Sequence, residues 1–186
     1  YESPNIDTLS NYSFQFTNAY SASPVCSPTR ASIMTGKHPS RVNITDWIPG
    51  NDPKDKPLLG PQDLDALPHE EVTIAEELKS SGYNTFYVGK WHLGSEGSYP
   101  EDHGFDINIG GFEKGSPMGG YYSPYKNPKL SDGLEGEYLT DRLTNEALGL
   151  IKNRDSSKSF ALFLSFYNVH TPIQANLEHV DYFKEK

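Results

Sequence analysis

The sequence predicts an α/β fold with a largely parallel sheet. Helical patterns alternate along the chain with short apolar runs of strand length, and the last run is apolar almost throughout, as in strands covered on both faces. A third observation points the same way. Three of the strand-like runs lead into unusual polar residues, and in parallel sheets ligands bind beyond the carboxyl ends of strands.

The elements follow in order. Pro4 to Tyr12 reads as a short helix, with Ser3 as its cap and Pro4 in its first turn. Ser13 to Tyr20, SFQFTNAY, alternates with aromatics and reads as a strand. Ser27 to Gly36 reads as a helix opened by Pro28 and stopped by Gly36. Residues 46–69 are rich in Pro, Gly and Asp and read as a long surface connection. Thr73 and Glu76 form a capping-box pattern, so a helix should run to about Ser81, with Gly82 as its stop. Asn84 to Val88 reads as a short strand. Residues 95–136 hold many Gly, Pro and Tyr with little periodicity, an irregular insertion too aromatic to be disordered. Tyr121, Tyr122 and Tyr125 within it could face a sugar ring, but a packed loop is the plainer reading. Leu143, Ala147, Leu150 and Ile151 share one helical face over residues 140–153. Ser159 to Phe166, SFALFLSF, is the buried strand.

Composition narrows the function. Sixteen Lys and Arg against 25 Asp and Glu give a net charge of −9, which disfavours nucleic acid as a partner. No run reaches the ~18 apolar residues of a membrane span, and YESPNIDTL does not look like a signal peptide. Hydrophobic residues are 35% and mean hydropathy is −0.65, lean for a self-contained core of this class. One cysteine, Cys26, excludes an internal disulfide framework and a multi-Cys zinc site. Between Asp7 and Asp46 there is no acidic residue, while Arg30, Lys37, His38 and Arg41 lie there. Such a basic island suits an anion, although a solvated basic face explains the charge alone. The sequons at Asn11 and Asn43 read as coincidental.

The topology carries Cys26, Gly89-Lys90-Trp91-His92 and Tyr167-Asn168-Val169-His170 toward one sheet edge. A lone His or Lys there is usually structural or solvated; a Cys, an Arg, a Lys and two His converging are harder to explain so. A thiolate phosphatase loop needs Cys-x5-Arg, and that position holds Ser32, with Arg30 too near. A papain-like pair of Cys26 with His92 or His170 has no local support. A buried, inert cysteine is common but leaves the Pro and Arg offsets unexplained.

Those offsets carry a resemblance. Cys26-Ser-Pro28-Thr-Arg30-Ala-Ser-Ile-Met34-Thr35-Gly36 resembles the first signature of the type I sulfatases, and Gly82-Tyr-Asn-Thr-Phe-Tyr-Val-Gly89-Lys90-Trp91-His92-Leu93-Gly94 resembles the second. SPNIDTL, FTNAYSASPVC and VHTPIQ are also typical of that family, and the likeness runs in order along nearly the whole chain.

The resemblance implies an alkaline-phosphatase-like three-layer fold, incomplete in this chain, and a sulfuric ester hydrolase acting on a sulfated carbohydrate. It implies that Cys26 is oxidised to formylglycine by a separate enzyme that reads Cys-x-Pro-x-Arg in the unfolded chain. The hydrated aldehyde attacks sulfur with one hydroxyl and uses the other to expel sulfate. Arg30 would hold the diol and the metal-site carboxylates, Lys90 the sulfate oxygens, and His92 the diol. His170 would contact sulfate and protonate the leaving oxygen. Cys26, once modified, would ligate Ca²⁺. The resemblance places the other calcium ligands outside these 186 residues. The chain then reads as part of one catalytic domain, lacking its first strand and C-terminal part, inactive alone and without tight calcium binding. A periplasmic, secreted or lysosomal setting is implied as well. A phosphonate or phosphate monoester hydrolase of the same superfamily, or a non-catalytic fragment, are the alternatives.

Overall fold

The computed structural model describes residues 2–50 and 55–186. Positions 51–54 of the expected 46–69 connection lie outside the described residues. The helices are α1 (Pro4–Ser10), α2 (Cys26–Thr35), α3 (Pro39–Val42), α4 (Ile74–Ser80), α5 (Leu139–Asn153) and α6 (Leu177–Lys184). The strands are β1 (Asn84–Gly89), β2 (Ile107–Ile109) and β3 (Phe160–Ser165), all parallel in the order β2-β1-β3.

Strand β1 is the centre of the architecture. Its register with β3 runs from Asn84 opposite Phe160 to Gly89 opposite Ser165. Residues Thr85 to Gly89 are all buried. The strand's alternation sends side chains to two different cores. Tyr87 joins Ala31 and Met34 of α2, Ala75 of α4, Trp91, Leu93 and Phe105 on one face. Val88 joins Leu139, Leu143 and Ala147 of α5 with Tyr121, Tyr125 and Tyr167 on the other. Helices thus cover both faces of the sheet, the layering expected for a parallel sheet.

Most boundaries follow their local chemistry. Helix α4 opens with the expected reciprocal box: Glu76 N–H donates to Thr73 Oγ1 at 3.2 Å, and Thr73 N–H donates to Glu76 Oε2 at 2.7 Å. Helix α2 begins at Cys26 itself, after Val25, which offers no capping side chain.

Two expectations are corrected. Ser13–Tyr20 is not a strand: it pairs with nothing among the described residues, and Phe14 is 96% exposed. Alternation reports one apolar face but not the partner needed to form a ladder. Strand β3 is not covered on both faces; every residue in it is half-buried, because it stands at the sheet edge. Segment 95–136 contains a 3₁₀ turn (Pro100–His103) and β2 within an otherwise irregular course. Tyr121 and Tyr125 in it are buried and Tyr122, half-buried, packs against Tyr138, in keeping with the packed loop taken above as the plainer reading.

Candidate functional site

Two strand ends and one helix start build the site. Helix α2 places Cys26 at its N-terminus, where unpaired backbone N–H groups favour negative charge. Strand β1 ends at Gly89, so Lys90 and His92 emerge at the carboxyl edge; β3 runs parallel to it and delivers His170 to the same edge.

Lys90 Nζ lies 3.0 Å from Cys26 Sγ, across 64 residues of sequence. Both lysine and sulfur stand beside a cleft also lined by Arg30 and Ser165. Burial holds the Lys90 ammonium below the ordinary lysine value; the Arg30 charge pushes the same way, and the Cys26 contact opposes both. Arg30 Nη1 donates to the Lys90 carbonyl at 2.5 Å and lies 3.2 Å from the Tyr87 hydroxyl. The Tyr87 hydroxyl also donates to the Lys90 carbonyl. The backbone that aims Lys90 is therefore held from two sides.

His92 occupies a left-handed backbone conformation, φ 59°, a strained state that persists only where surroundings enforce it. The enforcement is visible. Its N–H donates to Phe112 O, and its carbonyl accepts from the buried Ser27 hydroxyl at 2.9 Å. Its Nε2 lies 2.6 Å from Ile48 O; a carbonyl only accepts, so Nε2 carries the proton and Nδ1 is the acceptor. Nδ1 is buried without a partner among the described residues. Gly115 packs against the ring, so close that a Cβ there would overlap it.

Burial pushes His92 down to about 4; the charges of Lys90, Arg30 and His170 push the same way, and the Ile48 carbonyl opposes them. The unfolded residue titrates near 6.5, so between the two values the unfolded chain binds a proton that the folded chain refuses. This contribution to stability is fully present above pH ~6.5 and is lost as pH falls toward about 4. Urea unfolding at pH 7.5 and 5.0 should show the loss, and His92→Gln should lose less between those two values. An equal pH loss in both proteins would contradict a buried neutral His92.

His92 and His170 line a second cleft that adjoins Trp47 and Glu113–Ser116. The His170 loop is fastened by Tyr121, whose hydroxyl lies 2.8 Å from Tyr167 O and 3.0 Å from His170 O. The structure thus pairs Cys26, Arg30 and Lys90 along one cleft, and His92 with His170 along its neighbour.

Sequence reasoning missed the supports. Ser27 accepts from Ile48 N–H at 3.0 Å while donating to His92 O. Thr29 Oγ1 donates to Ser23 O at 2.7 Å and accepts from Ser23 N–H at 3.0 Å, pinning the approach to Cys26. Both lie inside the cysteine motif, which was the available signal. Tyr87 likewise lies inside the second quoted motif, Gly82 to Gly94, but nothing in that motif pairs it with Arg30 across 57 residues.

The sequence profile of the Sulfatase family matches residues 1–186. The chain belongs to the sulfatase family. This sulfatase chain is 33% identical to an arylsulfatase of Hemicentrotus pulcherrimus over 90% of its own length and 33% of that protein. It is 30% identical to human N-acetylgalactosamine-6-sulfatase over 94% of its length and 36% of that protein. The chain therefore spans about a third of the length of these curated relatives. Among solved structures, Ps i-CgsB in complex with k-i-k-neocarrahexaose matches with a TM-score of 0.72 at 26% identity, covering 98% of this chain and 43% of that one. BT4656 in complex with its substrate D-glucosamine-2-N,6-O-disulfate matches with a TM-score of 0.70 at 25% identity, covering 98% and 33%. The expected α/β, alkaline-phosphatase-like sulfatase fold is borne out by these neighbours.

A calcium ion takes ~6–8 oxygens, and no three His, Cys, Asp or Glu side chains converge among the described residues. No described helix is long and apolar enough to cross a membrane.

Proposed function

We propose that the protein containing this chain is a sulfuric ester hydrolase acting on a sulfated carbohydrate, with Cys26 as the residue converted to formylglycine by a separate modifying enzyme. The observation that carries this reading is the Lys90 ammonium set 3.0 Å from Cys26 Sγ at the start of α2. Formylglycine supplies a hydrated aldehyde, with one hydroxyl for attack and a second for regenerating the carbonyl.

The chain's own residues supply the rest. Lys90 brings a positive charge to the sulfate oxygens as a point donor. Arg30 holds Lys90 through its carbonyl and adds a second positive charge at the cleft. His92 enters neutral with Nδ1 as the ring's acceptor, and the reading assigns it the proton given up by the hydroxyl at position 26. His170 faces the same space as His92 and serves the leaving oxygen. The names of relatives that act on sulfated sugars support the substrate class, and an extracytoplasmic or lysosomal setting belongs to the same proposal.

Paired kinetics test the reading. The full-length protein should turn over an aryl sulfate at least tenfold faster than the matching aryl phosphate. Faster phosphate hydrolysis would assign the site to phosphoester chemistry, and no turnover of either would reject an active hydrolase.

A further inference from the structure

We infer that Trp47 is the platform on which the sugar ring of the substrate stacks, in the cleft beside His92 and His170, and that Asp65 accepts a hydrogen bond from a ring hydroxyl there. The inference rests on the sulfatase reading above and assigns the alcohol side of the ester.

The cleft has a volume of about 490 Å³, within the range of small-molecule sites and ample for a monosaccharide. It is a separate space from the one that holds Cys26, Arg30 and Lys90, so one space receives the anion and its neighbour the group attached to it. His92 and His170 face the second space and mark the boundary at which the scissile oxygen would sit. The cleft's aromatic wall is Trp47, 41% exposed. The other tryptophan, Trp91, is fully buried, and the tyrosines of 95–136 considered for this role are core. An exposed indole at a concave site offers a flat apolar face, which complements the C–H face of a pyranose.

Trp47 is also tied rigidly to the chemistry. The next residue, Ile48, donates its N–H to Ser27 Oγ at 3.0 Å, one residue from Cys26. The Ile48 carbonyl accepts from His92 Nε2 at 2.6 Å. The platform, the start of α2 and the His92 ring thus share one hydrogen-bonded junction, which fixes the distance between the ring and the reacting group. Of the carboxylates lining the cleft, Glu113 accepts from the Tyr99 hydroxyl at 2.9 Å. Asp65 has no hydrogen bond or ion pair among the described residues and is exposed on the cleft wall, an acceptor without a donor.

Fluorescence separates this inference from the reading beneath it. Emission from Trp47 can be isolated as the difference between the full-length protein and its Trp47→Phe variant, because Trp47 is exposed at the cleft. The probes are inorganic sulfate and a panel of O-sulfated hexoses and N-acetylhexosamines. At least one sulfated sugar should quench the Trp47 emission saturably; inorganic sulfate should not. Trp47→Ala should raise KM for that sugar about tenfold with kcat within twofold, and Asp65→Ala should raise it severalfold. Trp47→Phe should restore most of the affinity. If sulfate esters turn over while every sugar leaves Trp47 emission and the Trp47→Ala KM unchanged, the platform is wrong and the sulfatase reading stands. If no sulfate ester turns over, both fall.

Discussion

Cys26→Ala is expected to abolish sulfate-ester turnover in the full-length protein, a loss on the order of a millionfold, the scale seen when a covalent nucleophile is removed. Cys26→Ser is expected to behave differently. A serine hydroxyl at this position keeps the start of α2 and the neighbouring Lys90 ammonium. It can therefore attack sulfur. It has no second hydroxyl from which to rebuild a carbonyl and expel sulfate, so it should stop after one slow event per molecule. Rapid-mix assays should show a single stoichiometric release of alcohol with no steady state, and mass spectrometry should find the sulfate retained on residue 26. The wild-type chain from a host with the modifying enzyme should weigh ~18 Da less than its encoded mass, since oxygen replaces sulfur and two hydrogens leave. Sustained turnover by the serine variant would remove the formylglycine from the mechanism.

What the sequence made legible has a common physical origin. Cys26, Pro28 and Arg30 sit at fixed offsets on one helix start, and Lys90 and His92 follow a strand within four residues of its end, so local spacing places them. The capping box at Thr73 and Glu76 is likewise contained in four consecutive residues. The supports are of another kind. Ser27 meets His92 across 65 residues, and Arg30 meets Tyr87 across 57. No periodicity encodes such a contact. Trp47 lies in a stretch rich in Pro, Gly and Asp, and only the folded chain shows which wall it forms. The misread SFQFTNAY shows the opposite limit: its alternation is real, but its apolar side chains meet no covering layer among the described residues. Helix α6 was missed because it is short and none of its side chains is buried; Leu177, Tyr182 and Phe183 are exposed.

Gly89→Ala is expected to destabilise the fold by about 3–5 kcal/mol, the range reserved for severe single substitutions. Gly89 ends β1 with φ 101°, a conformation that strains any residue with a Cβ. The second cost is steric. A Cβ at this position would overlap the Ser165 carbonyl oxygen and stand 2.9 Å from its carbon. These are backbone atoms of β3, directly opposite in register, and the same carbonyl accepts from Lys90 N–H at 2.8 Å. Relief requires parting the two strands where Lys90 leaves the sheet. Gly36→Ala isolates the first cost: Gly36 has φ 68° at the end of α2, with nothing within 4 Å of an added Cβ. It should lose only about 1 kcal/mol. Urea unfolding of the two variants beside the parent gives the difference directly. Gly89→Ala should also lose more activity than its folded fraction explains, because the displaced strand end carries the Lys90 carbonyl that Arg30 and Tyr87 hold. Equal stability losses in the two variants would show that β1 and β3 yield at this point, and that close backbone contact does not fix the position of Lys90.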